Sequence, residues 1–142
     1  MSVAVALQKA IYSALRADAA VSAQIAGRVY DSVPAEEKRV AATGAAFPYI
    51  SFGSYDFVPD DADCISAGEH TLQIDVWSRA VGRVQAKQIT DAVLRVLDGN
   101  DADMGDYGLV EMRVDVARVI GDPDGLTTHG IVTVTAMIEE PE

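Results

Sequence analysis

Residues 70–97, HTLQIDVWSRAVGRVQAKQITDAVLRVL, change period in the middle. From His70 to Ser78 the chain alternates, with Leu72, Ile74 and Val76 on one side and Thr71, Gln73, Asp75 and Trp77 on the other. A strand with one buried face reads this way, because successive side chains point to opposite faces of a sheet. After Gly82 the apolar residues are Ala86, Ile89, Val93, Val96 and Leu97, at the spacing of a helix stripe. Lys87, Asp91 and Arg95 lie largely off that stripe, and Gly99 ends the helix. A strand feeding an amphipathic helix predicts a sheet with helices packed on it.

Toward the N-terminus, Leu7, Ile11, Ala14 and Leu15 recur at helical spacing with Val3 one turn earlier. The pattern predicts a helix over 3–17 capped by Ser2. Asp18 is placed to cap a second, short helix that carries Val21 and Ile25 and stops at Gly27. Arg28–Ser32 reads as a short extended piece ended by Pro34, and 35–46 as a surface loop or a marginal helical turn. Tyr49–Phe57 is an aromatic-rich, imperfect alternation that predicts a strand. Val58–Glu69, with Pro, Gly and four acids, reads as a long acidic loop joining this strand to the next as a hairpin.

Toward the C-terminus, Asn100–Asp106 reads as an acidic connector. In Leu109–Ile120, Val110, Met112, Val114 and Val116 alternate with Glu111, Arg113 and Asp115. Gly121–Gly125 is a turn by composition, and Thr127–Glu139 a long β-branched strand. The predicted order is α-α-β-β-β-α-β-β in one domain spanning 1–142. It defines an α+β fold: an antiparallel or mixed β-sheet of four to five strands with two to three helices packed on one face. The last two strands are apolar on both faces for part of their length, a surplus that neighbouring subunits would bury.

A chain of 142 residues is long enough to bury one core. Eleven Lys and Arg stand against 22 Asp and Glu, a formal charge of −11. Such a surface repels phosphate backbones and anionic lipid, which excludes stable binding to nucleic acid or a membrane surface. A repelling wall nevertheless suits a polyanion that has to slide past. Cys64 is the one cysteine, so no intramolecular disulfide forms. Gln8, Lys9 and Arg16 interrupt the apolar N-terminal run and its start is not basic, so neither a signal sequence nor a membrane span fits. The expected compartment is the cytoplasm.

No chemistry emerges from the candidate clusters. An EF-hand loop counted from Asp98 puts Leu109 at position twelve, and one counted from Asp101 puts Met112 there, where a bidentate Glu is required. The good zinc ligands are His70, His129 and Cys64. Both histidines fall at predicted strand starts and so could be neighbours, but no ligand pair has zinc-site spacing. A strand-edge histidine bonded to backbone is the plainer reading. Ser51 and Ser54 flank Gly53 without forming a G-x-S-x-G elbow, and the two aspartates of Gly121–Gly125 would repel phosphate. The residues predict no catalytic site, no metal and no cofactor. A small cytoplasmic ligand-binding α+β domain is the alternative, if helix and sheet enclose an apolar pocket.

Several short motifs in order carry a resemblance. An N-terminal helix is followed by Gly27-Arg28-Val29-Tyr30-Asp31, then Phe47-Pro48-Tyr49-Ile50. His70 opens a strand ending Asp75-Val76-Trp77-Ser78-Arg79, Gly82 precedes a helix ending Val96-Leu97, and Asp122-Pro123-Asp124-Gly125 leads to a strand introduced by His129. Across nearly its whole length the chain resembles the tail-terminator (tail-completion) proteins of siphophages and gene-transfer agents. It departs from that pattern in the acidic insertion Asp60–Asp63. The resemblance implies a structural protein with no catalytic residues that caps the tail tube, ends its polymerisation and joins the tail to the head connector. It implies a ring of identical subunits, six-fold as in the family, with DNA passing through the lumen without specific binding. The partners implied are other copies of the chain, the tail tube protein and the head-tail connector or stopper protein, with no membrane. The protein would reside in the host cytoplasm during assembly and afterwards in the virion or gene-transfer-agent particle. The loops at 56–69 and 99–107 are expected to form the contact ends, with Asp60, Asp61, Asp63, Ile65, Asp101, Asp103 and Met104 as interface residues.

Overall fold

The structure is a computed structural model, and it describes residues 2–62 and 65–141. The elements run α1 (Val3–Ala17), α2 (Ala19–Ile25), β1 (Val29–Tyr30), α3 (Glu36–Thr43), β2 (Tyr49–Pro59), β3 (Ser66–Ser78), α4 (Val84–Leu97), β4 (Gly108–Gly121) and β5 (Thr128–Glu140). Local chemistry explains the helical start. Ser2 Oγ accepts the Val5 N–H at 3.2 Å and opens α1. Asp18 then serves twice. Its N–H donates to Ala14 O at 3.2 Å, closing α1, and its carboxylate accepts the Val21 N–H at 3.0 Å, opening α2.

The sheet order is β1-β2-β3-β5-β4, with β1 parallel to β2 and the other pairs antiparallel. β3 is the central strand and pairs with β5 along its whole length, from Ser66↔Glu140 to Ser78↔Thr128. Leu72, Ile74 and Val76 of β3 share one face with Val132, Val134, Ala136 and Ile138 of β5. That face is covered by Leu7, Ile11 and Leu15 of α1, Val21 and Ile25 of α2, and Ile89, Val93 and Leu97 of α4. The fold is α+β with a mixed open sheet, as the residue pattern predicts.

Three details differ from the sequence reading. The acidic stretch 58–69 is strand at both ends, since β2 runs to Pro59 and β3 begins at Ser66. The outer half of β2 is exposed on both faces, so no burial imposed a period of two there. Asp63 and Cys64 lie outside the described residues. Residues 36–43, read as loop or marginal turn, form helix α3. Its buried residue is Arg39 rather than an apolar stripe: Nε donates to Ala46 O at 3.0 Å and Nη1 to Pro34 O at 2.6 Å. Finally, bulges after Leu109 and Val114 break the alternation of β4. Met112 is buried and Val114 partly so, whereas Val110 and Val116 are exposed. A bulge inserts one residue and reverses the face of everything that follows.

Candidate interaction surfaces of the sheet

The sheet face opposite α1 and α4 is polar and interconnected. Asp75, only 6% exposed, takes Gln73 Nε2 at 2.8 Å and His129 Nε2 at 2.7 Å, both on Oδ1. Gly53 makes room for this carboxylate, because a Cβ there would sit 2.6 Å from Asp75 Oδ2. The Trp77 indole stacks on the His129 imidazole with centroids 3.9 Å apart, and its Nε1 donates to Ser51 Oγ at 3.0 Å. Farther along, Thr135 Oγ1 donates to Asp115, and Arg113 lies among Asp115, Glu111 and Glu69.

An Asp–His pair can orient a general base. The described residues bring no hydroxyl or thiol into hydrogen-bonding distance of the other His129 nitrogen, and Ser51 already accepts from Trp77. This arrangement fixes the sheet surface rather than assembling a nucleophile.

The two histidines are not neighbours. His70 pairs with Ala136 on the helix-covered face, and His129 pairs with Trp77 on the open face, about 23 Å further along at the rise of a strand. His129 bonds a carboxylate, not backbone. Among the described residues no group of three or more His, Cys, Asp or Glu is placed to hold a metal ion.

His70 is fully buried, with Tyr55 Oη 2.7 Å from Nδ1, the Phe57 ring 4.7 Å away and, among the described residues, no hydrogen-bond partner at Nε2. Burial pushes its pKa below 6.5, against a smaller upward pull from Glu140. The unfolded chain therefore binds more protons than the folded one as pH falls below 6.5, and stability falls through that window. His70→Phe retains the ring contact and removes the titration. Urea unfolding at pH 7.5 and 5.5 should show a smaller acid loss in the variant; an equal loss would place the sensitivity elsewhere.

The strand register sorts the loops to two ends of the sheet. The described ends of the β2–β3 connection, 60–62 and 65, lie beside Glu139 and Gly108 at one end, and the 79–83 and 121–128 connections lie together at the other. At the hairpin end Asp60, Asp61 and Ile65 are exposed, with Phe57 and Val58 beside them. The connector residues Asp101 and Asp103 are also exposed and, with Lys9 and Ser13 of α1, line an open groove of about 610 Å³. Met104 is different. Its side chain is buried in the core cluster, so Asp101 and Asp103 carry what that loop presents.

Sequence reasoning missed the surface at the opposite end. Val81 is fully exposed and Leu126 is 70% exposed, beside Arg79 and Arg83. Asp124 holds the turn by accepting Thr127 Oγ1 at 2.6 Å and the Leu126 and Thr127 N–H groups at 2.8 Å each. These bonds lower its carboxyl pKa to about 2. Their signal was present in Gly121–Gly125, but composition alone marked only a turn.

The fold thus has one covered sheet face, one open face and two unlike ends. Residues 9–139 match the family model of Tail completion protein gp17. The chain belongs to this family of structural tail completion proteins. It is similar to Tail completion protein gp17 of Bacillus phage SPP1, with 28% identity over 88 residues. That alignment covers 62% of this chain and 65% of the phage protein, just under two thirds of the relative's length. A chain in the virion of native gene transfer agent (GTA) particle has a similar structure, with a TM-score of 0.83 and 28% identity over 97% of this chain and 98% of that one.

Proposed function

We infer that this chain acts as a single tail-terminator-like domain that caps the tail tube, ends its polymerisation and joins the tail to the head connector as a ring. The observation that carries this reading is the likeness to a gene-transfer-agent virion chain over nearly the full length of both chains. The family membership supports the same role. In this reading the partners are further copies in a hexameric ring, the tail tube protein and the head-tail connector or stopper protein. DNA crosses the lumen without specific binding. A charge of −11 per subunit, multiplied around a ring, favours passage over capture. The protein works without catalysis or cofactor, first in the host cytoplasm and then in the particle. Among the described residues no helix is long and apolar enough to cross a membrane.

Electron microscopy of particles made without the gene tests the role. Overlong tails, or tails detached from heads, are expected, and the supplied gene should restore normal ones. Normal tails on intact particles in its absence would defeat the reading.

A further inference from the structure

Among the described residues the hairpin end of the sheet carries acids without a cation partner, and the opposite end carries unpartnered cations beside the turn acids Asp122 and Asp124; both ends expose apolar side chains. At the hairpin end, the Asp60 N–H donates to Ala67 O at 2.9 Å, and Ala67 pairs with Glu139. Asp60 and Glu139 therefore flank β3 in one row, near the exposed Phe57 and Val58. Neither acid has a cation partner among the described residues. At the opposite end Arg83 immediately precedes α4 and lies across the end of β4, its Nη2 3.2 Å from where a Gly121 Cβ would stand. Lys87 follows one turn later. Neither cation has an acid partner among the described residues, although the chain has twice as many acids as bases.

We propose that these ends meet between copies, the acidic hairpin end of one subunit seated on the Arg83–Lys87 end of the next. The proposal rests on the ring reading above and names its contact. The ends are separated by about 40 Å, the span of a strand from Ser66 to Ser78, so one molecule cannot satisfy both by itself. The acids at the Arg83 end, Asp122 and Asp124, accept bonds within their own turn, which leaves Arg83 and Lys87 as cations for the acids of the other end, and each end has an apolar patch to exclude water from the contact. A contact between unlike patches of identical molecules is heterologous and closes into a ring when its rotation permits. The charges set register and approach rate, and the apolar side chains supply burial.

Three variants test the contact: Asp60→Arg with Glu139→Arg, Arg83→Glu with Lys87→Glu, and all four together. All four positions are exposed, so unchanged melting temperatures verify folding. In producer cells lacking the gene, each paired variant should reduce normal-length, head-joined tails by about tenfold or more, and the fourfold variant should recover most of that loss. A fourfold variant as defective as the pairs would overturn the proposal and assign the ends to other proteins, whose charges were not exchanged. Wild-type tail length from paired variants would also overturn it. Sedimentation reads the contact without reference to tails. The two paired variants should associate when mixed at low salt more strongly than either does alone, and added salt should weaken the mixture. A mixture that sediments as its separate components would reject the contact even if tail capping holds; normal tails in cells without the gene would reject capping alone.

Discussion

Ile74→Ala is expected to lower the free energy of unfolding by about 2–5 kcal/mol, the range for truncating a fully buried branched side chain. Ile74 has no exposed surface and sits on the central strand, opposite Val132 of β5 and Phe52 of β2. Neighbours hydrogen-bonded on both sides restrict collapse into the vacated space, while α1 and α4 approach from above. A domain has only about 5–15 kcal/mol of net stability, so the loss is a large share of the total. Urea unfolding at pH 7.5 gives the measurement, with a lower midpoint and an unchanged slope expected. A loss below about 1 kcal/mol would mean that the site closes freely and that β3 is not the rigid centre of the core.

The second large effect arises from crowding rather than a void. Gly130 of β5 faces α4, and a Cβ there would collide with Thr90 Oγ1 and lie 3.0 Å from Val76 Cβ. Val76 Cβ is fixed to the backbone of β3, and Thr90 Oγ1 can withdraw only by rotating a buried, β-branched side chain. Gly130→Val should therefore cost about 1–3 kcal/mol or more, with Gly130→Ala less severe. Thr90→Ala removes the first obstacle, so the double variant Gly130→Ala with Thr90→Ala should recover part of the loss of Gly130→Ala alone. A double-mutant cycle measures that coupling. Purely additive losses would show that α4 does not rest on Gly130.

The clearly periodic elements were legible from local patterns. α1, α4, β3 and β5 lie within a few residues of their expected bounds, because a helix or strand with one buried face repeats that burial at its own backbone period. α3 escaped because it buries a guanidinium through carbonyl bonds, leaving no apolar stripe. The outer hairpin escaped because exposure on both faces removes the alternating signal. In β4, two bulges reassigned the faces of residues whose alternation looked regular.

Of the candidate interface, Asp60, Asp61, Ile65, Asp101 and Asp103 are exposed, whereas Met104 packs inward. Acidity and turn composition marked those loops, but could not reveal which side chains the core would take. The Asp75–His129 bond and the Arg83–Lys87 end required knowledge of which strands adjoin.

By itself the sequence determined the α+β class, the amphipathic elements and the acidic character of the chain. These properties depend on composition or on neighbours within a few residues. Only the tertiary structure decided that β5 enters between β3 and β4, and that Asp60 comes beside Glu139 while Arg83 crosses the far end. Strand register sets those neighbours by hydrogen bonding and burial between segments remote in sequence, and no local period encodes such pairing.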